Sequence, residues 1–237
     1  MNFIFDLYGT LIDIWTDESS EEFWRSICSL LSLDGNRWNA LKTQYSALCA
    51  SKKREKYHEI DLSEVFAEII ASNNAKISEK DLATAFRHLS MRRFLLFPTV
   101  KETLDELRRL GAGVYLVSNA QGCFTRSELE ATGLLRLFDG IILSSEEGVK
   151  KPSEIIFEHA FVRFGIEAHN SYYVGNDLYD DVYGANRVGM KTVYINTEQS
   201  GKYDKADLPS PDYIALDHYQ LSNILISLAS EKIHYST

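Results

Sequence analysis

A chain of 237 residues with 45% apolar and 25% charged residues has the makeup of a folded globular protein, long enough to bury a real core. Its 34 acidic against 25 basic residues leave a net charge of −9, which argues against a sequence-independent grip on nucleic acid phosphates and favours a small-molecule partner. No apolar run approaches membrane-spanning length, and Met1 leads at once into a short apolar strand that leaves no space for a signal peptide, so no membrane partner is expected.

In chain order, Asn2 to Phe5 is a short apolar run that the Gly9-Thr10 pair stops in a turn, which predicts a first buried strand. From about Trp15 to Phe97 the apolar spacing is helical and no strand is predicted. Three capping boxes mark helix starts there: Ser19 with Glu22, Asp61 with Glu64, and Ser78 with Asp81. We expect about four helices in this stretch. After Pro98 a helix with Val100, Leu104 and Leu107 on one face ends at Gly111. Strands are then predicted at Val114 to Val117, Gly140 to Leu143, Tyr172 to Val174, Thr192 to Ile195 and Tyr213 to Leu216. The helices between them close near Gly133, Gly165 and Gly189.

Such alternation predicts an α/β fold, a parallel sheet covered by helices on both faces. The first strand must join that sheet, because alone its backbone groups would stay unpaired. The helical stretch is then an insertion. The expected division is a Rossmann-like core of residues 1–14 and 92–237 with an all-helical module at 15–91. Thr197 to Pro211 is predicted as a loop. Cys28, Cys49 and Cys123 are odd in number and widely spaced, which predicts free thiols in a reducing, cytoplasmic setting.

Four short motifs stand at the ends of predicted strands: Asp6-Leu7-Tyr8-Gly9-Thr10-Leu11, Ser118-Asn119, Lys151-Pro152, and Gly175-Asn176-Asp177 running on to Asp181. In an open parallel sheet, ligands gather at the carboxyl ends of the strands. Asp6 would project into that crevice, with Gly9 and Thr10 turning the chain away and leaving their amides free to face an anion. Ser118 and Asn119 offer a hydroxyl and an amide to phosphoryl oxygens. A carboxylate beside a phosphate dianion meets repulsion of about 4 kcal/mol per charge pair at an effective dielectric near 20, so a cation must offset it. Lys151 can do this, and the carboxylates of Asp177, Asp180 and Asp181 suit a hard divalent ion.

Taken together, these motifs resemble those of the haloacid dehalogenase-like hydrolases, over essentially the whole chain. The resemblance implies a helical cap inserted after the first motif, with Asp6 as nucleophile, Lys151 as charge neutraliser and Ser118 as phosphate-binding hydroxyl. Tyr8, Gly9, Thr10 and Asn119 would complete the phosphate site. It further implies Mg2+ held by Asp6, the Tyr8 carbonyl, Asp177 and Asp181, with Asn176 standing where the first metal aspartate is often found. Tyr8 departs from the phosphatase pattern, since it occupies the place of the aspartate that protonates the leaving group. The function expected is magnesium-dependent hydrolysis of a small phosphorylated metabolite through an aspartyl-phosphate, by a monomer or homodimer.

Two alternatives stand beside it. Tyrosine at position 8 also resembles the true 2-haloacid dehalogenases, which need neither a leaving-group proton nor a metal, although Phe157 replaces a tyrosine expected there. A catalytically degenerate protein that binds a phosphorylated ligand is the other. Asp13 is expected to pin the exit from the core rather than to react, and Lys52, Lys53, Arg54 and His58 read as a solvated basic stretch.

Overall fold

The computed structural model describes residues 1–203 and 208–234, the last three by backbone alone. The chain starts with β1 (Asn2–Phe5), turns, and runs through β2 (Ile12–Thr16) into four helices, α1 (Glu21–Leu30), α2 (Trp38–Lys52), α3 (Leu62–Ser72) and α4 (Glu79–Ser90). It returns along β3 (Met91–Leu96) and then alternates: α5 (Val100–Arg109), β4 (Gly113–Ser118), α6 (Gly122–Thr132), β5 (Gly140–Leu143), the short α7 (Ser144–Glu147) and α8 (Glu154–Phe164). The last part holds β6 (Ser171–Gly175), a π-helical turn Leu178–Tyr183, α9 (Gly184–Arg187), β7 (Lys191–Ile195), β8 (Tyr213–Ala215) and α10 (His218–His234).

Six strands form one parallel sheet in the order β5-β4-β1-β6-β7-β8. The insertion inference holds here: β1 pairs with β4 on one side and β6 on the other, so the first strand of the chain lies in the middle of the sheet. Its residues are buried on both faces, as a central parallel strand requires. Phe3 and Phe5 join the cluster beneath α5 and α10, while Ile4 faces Ile156 and Phe157 of α8 on the other side. Strand order reverses about β1, and the crevice at that reversal lies beyond Asp6.

Two expectations need correcting. Part of the stretch from Trp15 to Phe97 is strand: β3 pairs antiparallel with β2, matching Ile12 to Leu96 and Trp15 to Arg93. This two-stranded ribbon carries the chain out of the sheet and back, and its strands are stabilised by each other across some 80 residues, which a local pattern does not register. Asp13 lies in it, 3.0 Å from Arg93, which agrees with a pinning role. The cap of α1 is Ser20, whose hydroxyl accepts from the Phe23 amide; Ser19 instead donates to Asp17. Asp61 and Ser78 cap α3 and α4 as expected. Thr197 to Pro211 falls partly outside the described residues.

The four helices enclose their own aromatic cluster of Phe23, Trp24, Phe66 and Phe86, and Phe124 of α6 completes it. The helical layer is thereby fastened to the sheet layer through a shared ring stack, with Phe86 and Phe124 nearly parallel at 6.3 Å. Lys52 is tied to Glu64 and Glu68 in the helical layer.

Candidate active site

Asp6 leaves the end of β1, and a tight turn follows in which the amides of Leu11 and Ile12 bond back to the Leu7 carbonyl. Gly9 has φ +86°, and a side chain there would collide with the Asn176 carboxamide, so only glycine permits this approach. The Gly9 and Thr10 amides do not face the crevice as an anion site would need. They donate to the Ile12 and Leu7 carbonyls, because the turn itself consumes them.

The expected residues do converge. Asp6, Ser118, Lys151 and Asn176 meet around a cavity of about 150 Å3, which Tyr8, Asn119, Asp177, Asp180 and Asp181 also line. Asp6 Oδ1 accepts from Ser118 Oγ at 2.9 Å and from Lys151 Nζ at 2.8 Å, and Thr10 Oγ1 lies 3.4 Å from Asp6 Oδ2. Lys151 is fully buried and also donates to Asp181 Oδ1 at 2.6 Å and to the Tyr173 hydroxyl at 2.7 Å. Burial opposes its charge, but Asp181 and Asp6 outweigh that and hold the ammonium well above its usual range. Asn119 does not turn to the cavity as a free amide. Its carboxamide accepts from the Lys151 amide and donates to the Lys151 carbonyl and to Asp180, so it fixes the lysine's backbone.

Four carboxylates and one ammonium surround this cavity, an imbalance that shows in Asp180, pushed up to about 6 by burial and by its neighbour Asp177, against the pull of Lys151. Burial likewise raises Asp181, with Lys151 holding it back. That donor chemistry fits a hard divalent cation. The side chains are not gathered into a ready cage: among the described residues no three Asp, Glu, His or Cys groups converge on one point. Asp177 caps the π-helical turn through the Tyr179 and Asp180 amides and accepts from the Tyr203 hydroxyl. Asp181 accepts from Lys151 and the Asp177 amide. Asn176 is the side chain linked to the first motif, its Oδ1 3.1 Å from Thr10 Oγ1.

Tyr8 is locked rather than poised. Its hydroxyl donates to Glu128 and lies 2.9 Å from Thr125 Oγ1, and Arg87 both pairs with Glu128 at 2.6 Å and lies over the Tyr8 ring at 5.3 Å. Burial, then the Glu128 charge, push the phenol far above its usual range, with Arg87 only partly compensating. Arg87→Met should destabilise the fold by roughly 2–3 kcal/mol, somewhat below the loss for a fully buried pair, because Glu128 would stay behind uncompensated. Urea denaturation of Arg87→Met beside Arg87→Met/Glu128→Gln checks this. The double variant is expected to recover part of the loss.

Sequence reasoning missed this network and the role of Tyr173. Thr125 and Glu128 share a face of α6 by their spacing, but nothing local connects them to Tyr8 or Arg87. Tyr173 was visible only as a strand residue. Phe157 is buried edge-on against the Tyr173 ring, and the hydroxyl on Lys151 comes from Tyr173 of β6.

The parallel sheet, the helical insertion and the cluster about Asp6 define a hydrolase of the Rossmann-like type. The chain belongs to the haloacid dehalogenase-like hydrolases, a family that matches residues 1–189. It is 32% identical over 127 residues to the ribulose-1,5-bisphosphate 5-phosphatase of Halopiger xanaduensis, covering 53% of each chain. It is 28% identical to the N-acylneuraminate-9-phosphatase of Mus musculus over 66% of this chain and 62% of that one. The chain thus spans roughly half to three fifths of the curated relatives it matches. Its fold is shared with a HAD phosphatase from Thermococcus onnurineus, TM-score 0.62 at 23% identity over 94% of this chain and 97% of that one. It is shared also with the 2-haloacid dehalogenase of Pseudomonas syringae pv. Tomato DC3000, TM-score 0.65 at 19% identity over 96% and 99%.

Proposed function

We propose that this protein hydrolyses a small phosphate monoester, with Asp6 as the attacking carboxylate. The observation that carries the reading is the buried Asp6–Lys151–Asp181 arrangement, which holds a carboxylate oriented and paired with an ammonium at the sheet's switch point. The phosphatase names of the curated relatives support it.

Asp6 would attack phosphorus in line with the leaving alcohol, forming an aspartyl-phosphate that water then cleaves. Lys151 offsets the charge that builds between carboxylate and phosphoryl group, and Ser118 keeps the attacking oxygen in position. Mg2+ would be held by Asp6, the Tyr8 carbonyl, Asn176 and the Asp177 to Asp181 segment. When bound it supplies the remaining positive charge that a phosphate dianion needs beside four carboxylates. The helices of residues 15–91 act in this reading as a cap that covers the site and excludes water. Among the described residues no helix is long and apolar enough to cross a membrane. We place the protein in the cytoplasm, where its free cysteines stay reduced, as a monomer or homodimer without nucleic acid or membrane partners.

Because the Tyr8 hydroxyl donates its hydrogen bond to Glu128 and burial holds the phenol far above its usual range, it does not serve the leaving group. The rate should therefore fall steeply as the leaving alcohol becomes less acidic, with 4-nitrophenyl phosphate exceeding an alkyl phosphate by roughly a hundredfold or more. A flat dependence in a series of phosphate esters would contradict this. The reading as a whole is tested by phosphate release from 4-nitrophenyl phosphate with magnesium and with a chelator. Activity that needs magnesium is expected, and its persistence under chelation would overturn the metal assignment.

A second reading, halide release from a 2-haloacid, is favoured by Tyr8 and by the Tyr173 hydroxyl against Lys151. The crowd of Asp177, Asp180 and Asp181 argues against it, since an anionic haloacid would enter without a compensating cation. Release of chloride from 2-chloropropionate, unaffected by chelator, would establish it.

A further inference from the structure

A second cavity of about 530 Å3 adjoins the first, sharing Tyr8 and Asn119 with it, and lies between the helical layer, the ribbon and α6. Aromatic side chains, Tyr8, Trp15, Tyr45, Phe86 and Phe124, form a large part of its walls, with Ile14 and Leu62 beside them. Most of the polar groups on the lining are already committed. Gln121 is spent on the Ile60 carbonyl and Leu62 amide, Asn119 on Lys151, Thr125 on Tyr8, and Arg87 on Glu128. The Tyr45 hydroxyl is engaged with Cys49, and the remaining polar side chains, Thr16 and Glu18, lie close in sequence to Trp15, which is 59% exposed.

A polyhydroxylated body placed here would give up water without finding enough partners, and each unpaired hydroxyl is costly. An apolar ring gains from the same walls, by burial and by stacking against aromatic faces. We propose that this cavity receives the leaving group, and that the substrate class is phosphate monoesters of aromatic or otherwise apolar alcohols. Trp15, Tyr45 and Phe86 set that specificity. The inference rests on the phosphohydrolase reading for its chemistry but not for its binding preference, so the two can fail separately.

The test uses 2-phenylethyl phosphate and glycerol 3-phosphate, whose leaving groups are both alkyl alcohols. Glycerol is the more acidic of the two, so leaving-group acidity alone favours the polar ester. The phenyl ester is expected to show KM lower by about tenfold to a hundredfold, the gain of burying one ring. Trp15→Ala should raise KM several-fold for the phenyl ester and change that of the glycerol ester much less, so that the ratio of glycerol-ester to phenyl-ester KM falls. Tyr45→Leu, at a partly buried wall residue, should do the same and provides a second probe should Trp15→Ala disturb the ribbon. Calorimetric binding of 2-phenylethylphosphonate against methylphosphonate gives a readout free of turnover, with roughly tenfold tighter binding expected for the former. Equal binding of the two phosphonates, or an equal or better KM for glycerol 3-phosphate, overturns the inference. Preferential phosphonate binding with no hydrolysis of any ester would uphold it and overturn the phosphohydrolase reading.

Discussion

Asp6→Asn should lower phosphate release by about 10⁵-fold or more, because in the proposed reaction it removes the carboxylate that forms the phospho-enzyme, a loss of the size seen when a covalent nucleophile is deleted. The carboxamide oxygen can still accept from Ser118 and Lys151, and Lys151 keeps its bond to Asp181, so the fold should survive. Acid quenching during turnover of a labelled substrate should trap phosphate on the wild-type chain and none on the variant. A residual rate above about a hundredth of wild type would remove Asp6 from the role of nucleophile. A wild-type protein that binds phosphate yet turns over no ester would instead be the degenerate binding protein that Tyr8 allows.

Lys151→Met should be both inactive and unstable, with the stability loss reaching about 3–5 kcal/mol, the cost of stranding a buried charge without its partner. The side chain is buried and, among the described residues, is the only cation bonded to either Asp6 or Asp181, so its loss leaves two neighbouring buried carboxylates without a partner charge. Neutralising one of them should help. Lys151→Met/Asp181→Asn is expected to regain a large part of the stability, measured by urea denaturation, while activity stays lost. Such a split separates the lysine's structural effect from its effect on the reaction, since a double-variant cycle isolates the coupling between the two groups. If Lys151→Met kept wild-type stability, the buried triad would not hold as described.

Much of the sheet was legible because parallel central strands are apolar throughout and bounded by turns. The predicted Asn2 to Phe5 and Gly140 to Leu143 match β1 and β5 residue for residue, β7 and β8 differ by one residue at one end, and β4 and β6 by one residue at each end. The ribbon was not legible. Met91–Leu96 has weak alternation, and it becomes a strand only when Ile12–Thr16 lies beside it. The same division runs through the site. Asp6 and Ser118 announce themselves at the ends of strands and Lys151 by the Pro152 that follows it, whereas Tyr173 and Glu128 look like ordinary strand and helix residues.

What the linear chain determined by itself is the order of elements, the membership of β1 in the sheet and the meeting of the four motifs, because short-range apolar periodicity and turn chemistry dictate strands and their ends. Which hydroxyl braces Lys151, where Asp177 points, and the locking of Tyr8 by Glu128 and Arg87 were decided only by tertiary structure. The physical reason is burial. Once water is excluded, each polar group must find a partner among whatever side chains the fold brings within 3 Å, and those come from helices and strands far apart in the sequence.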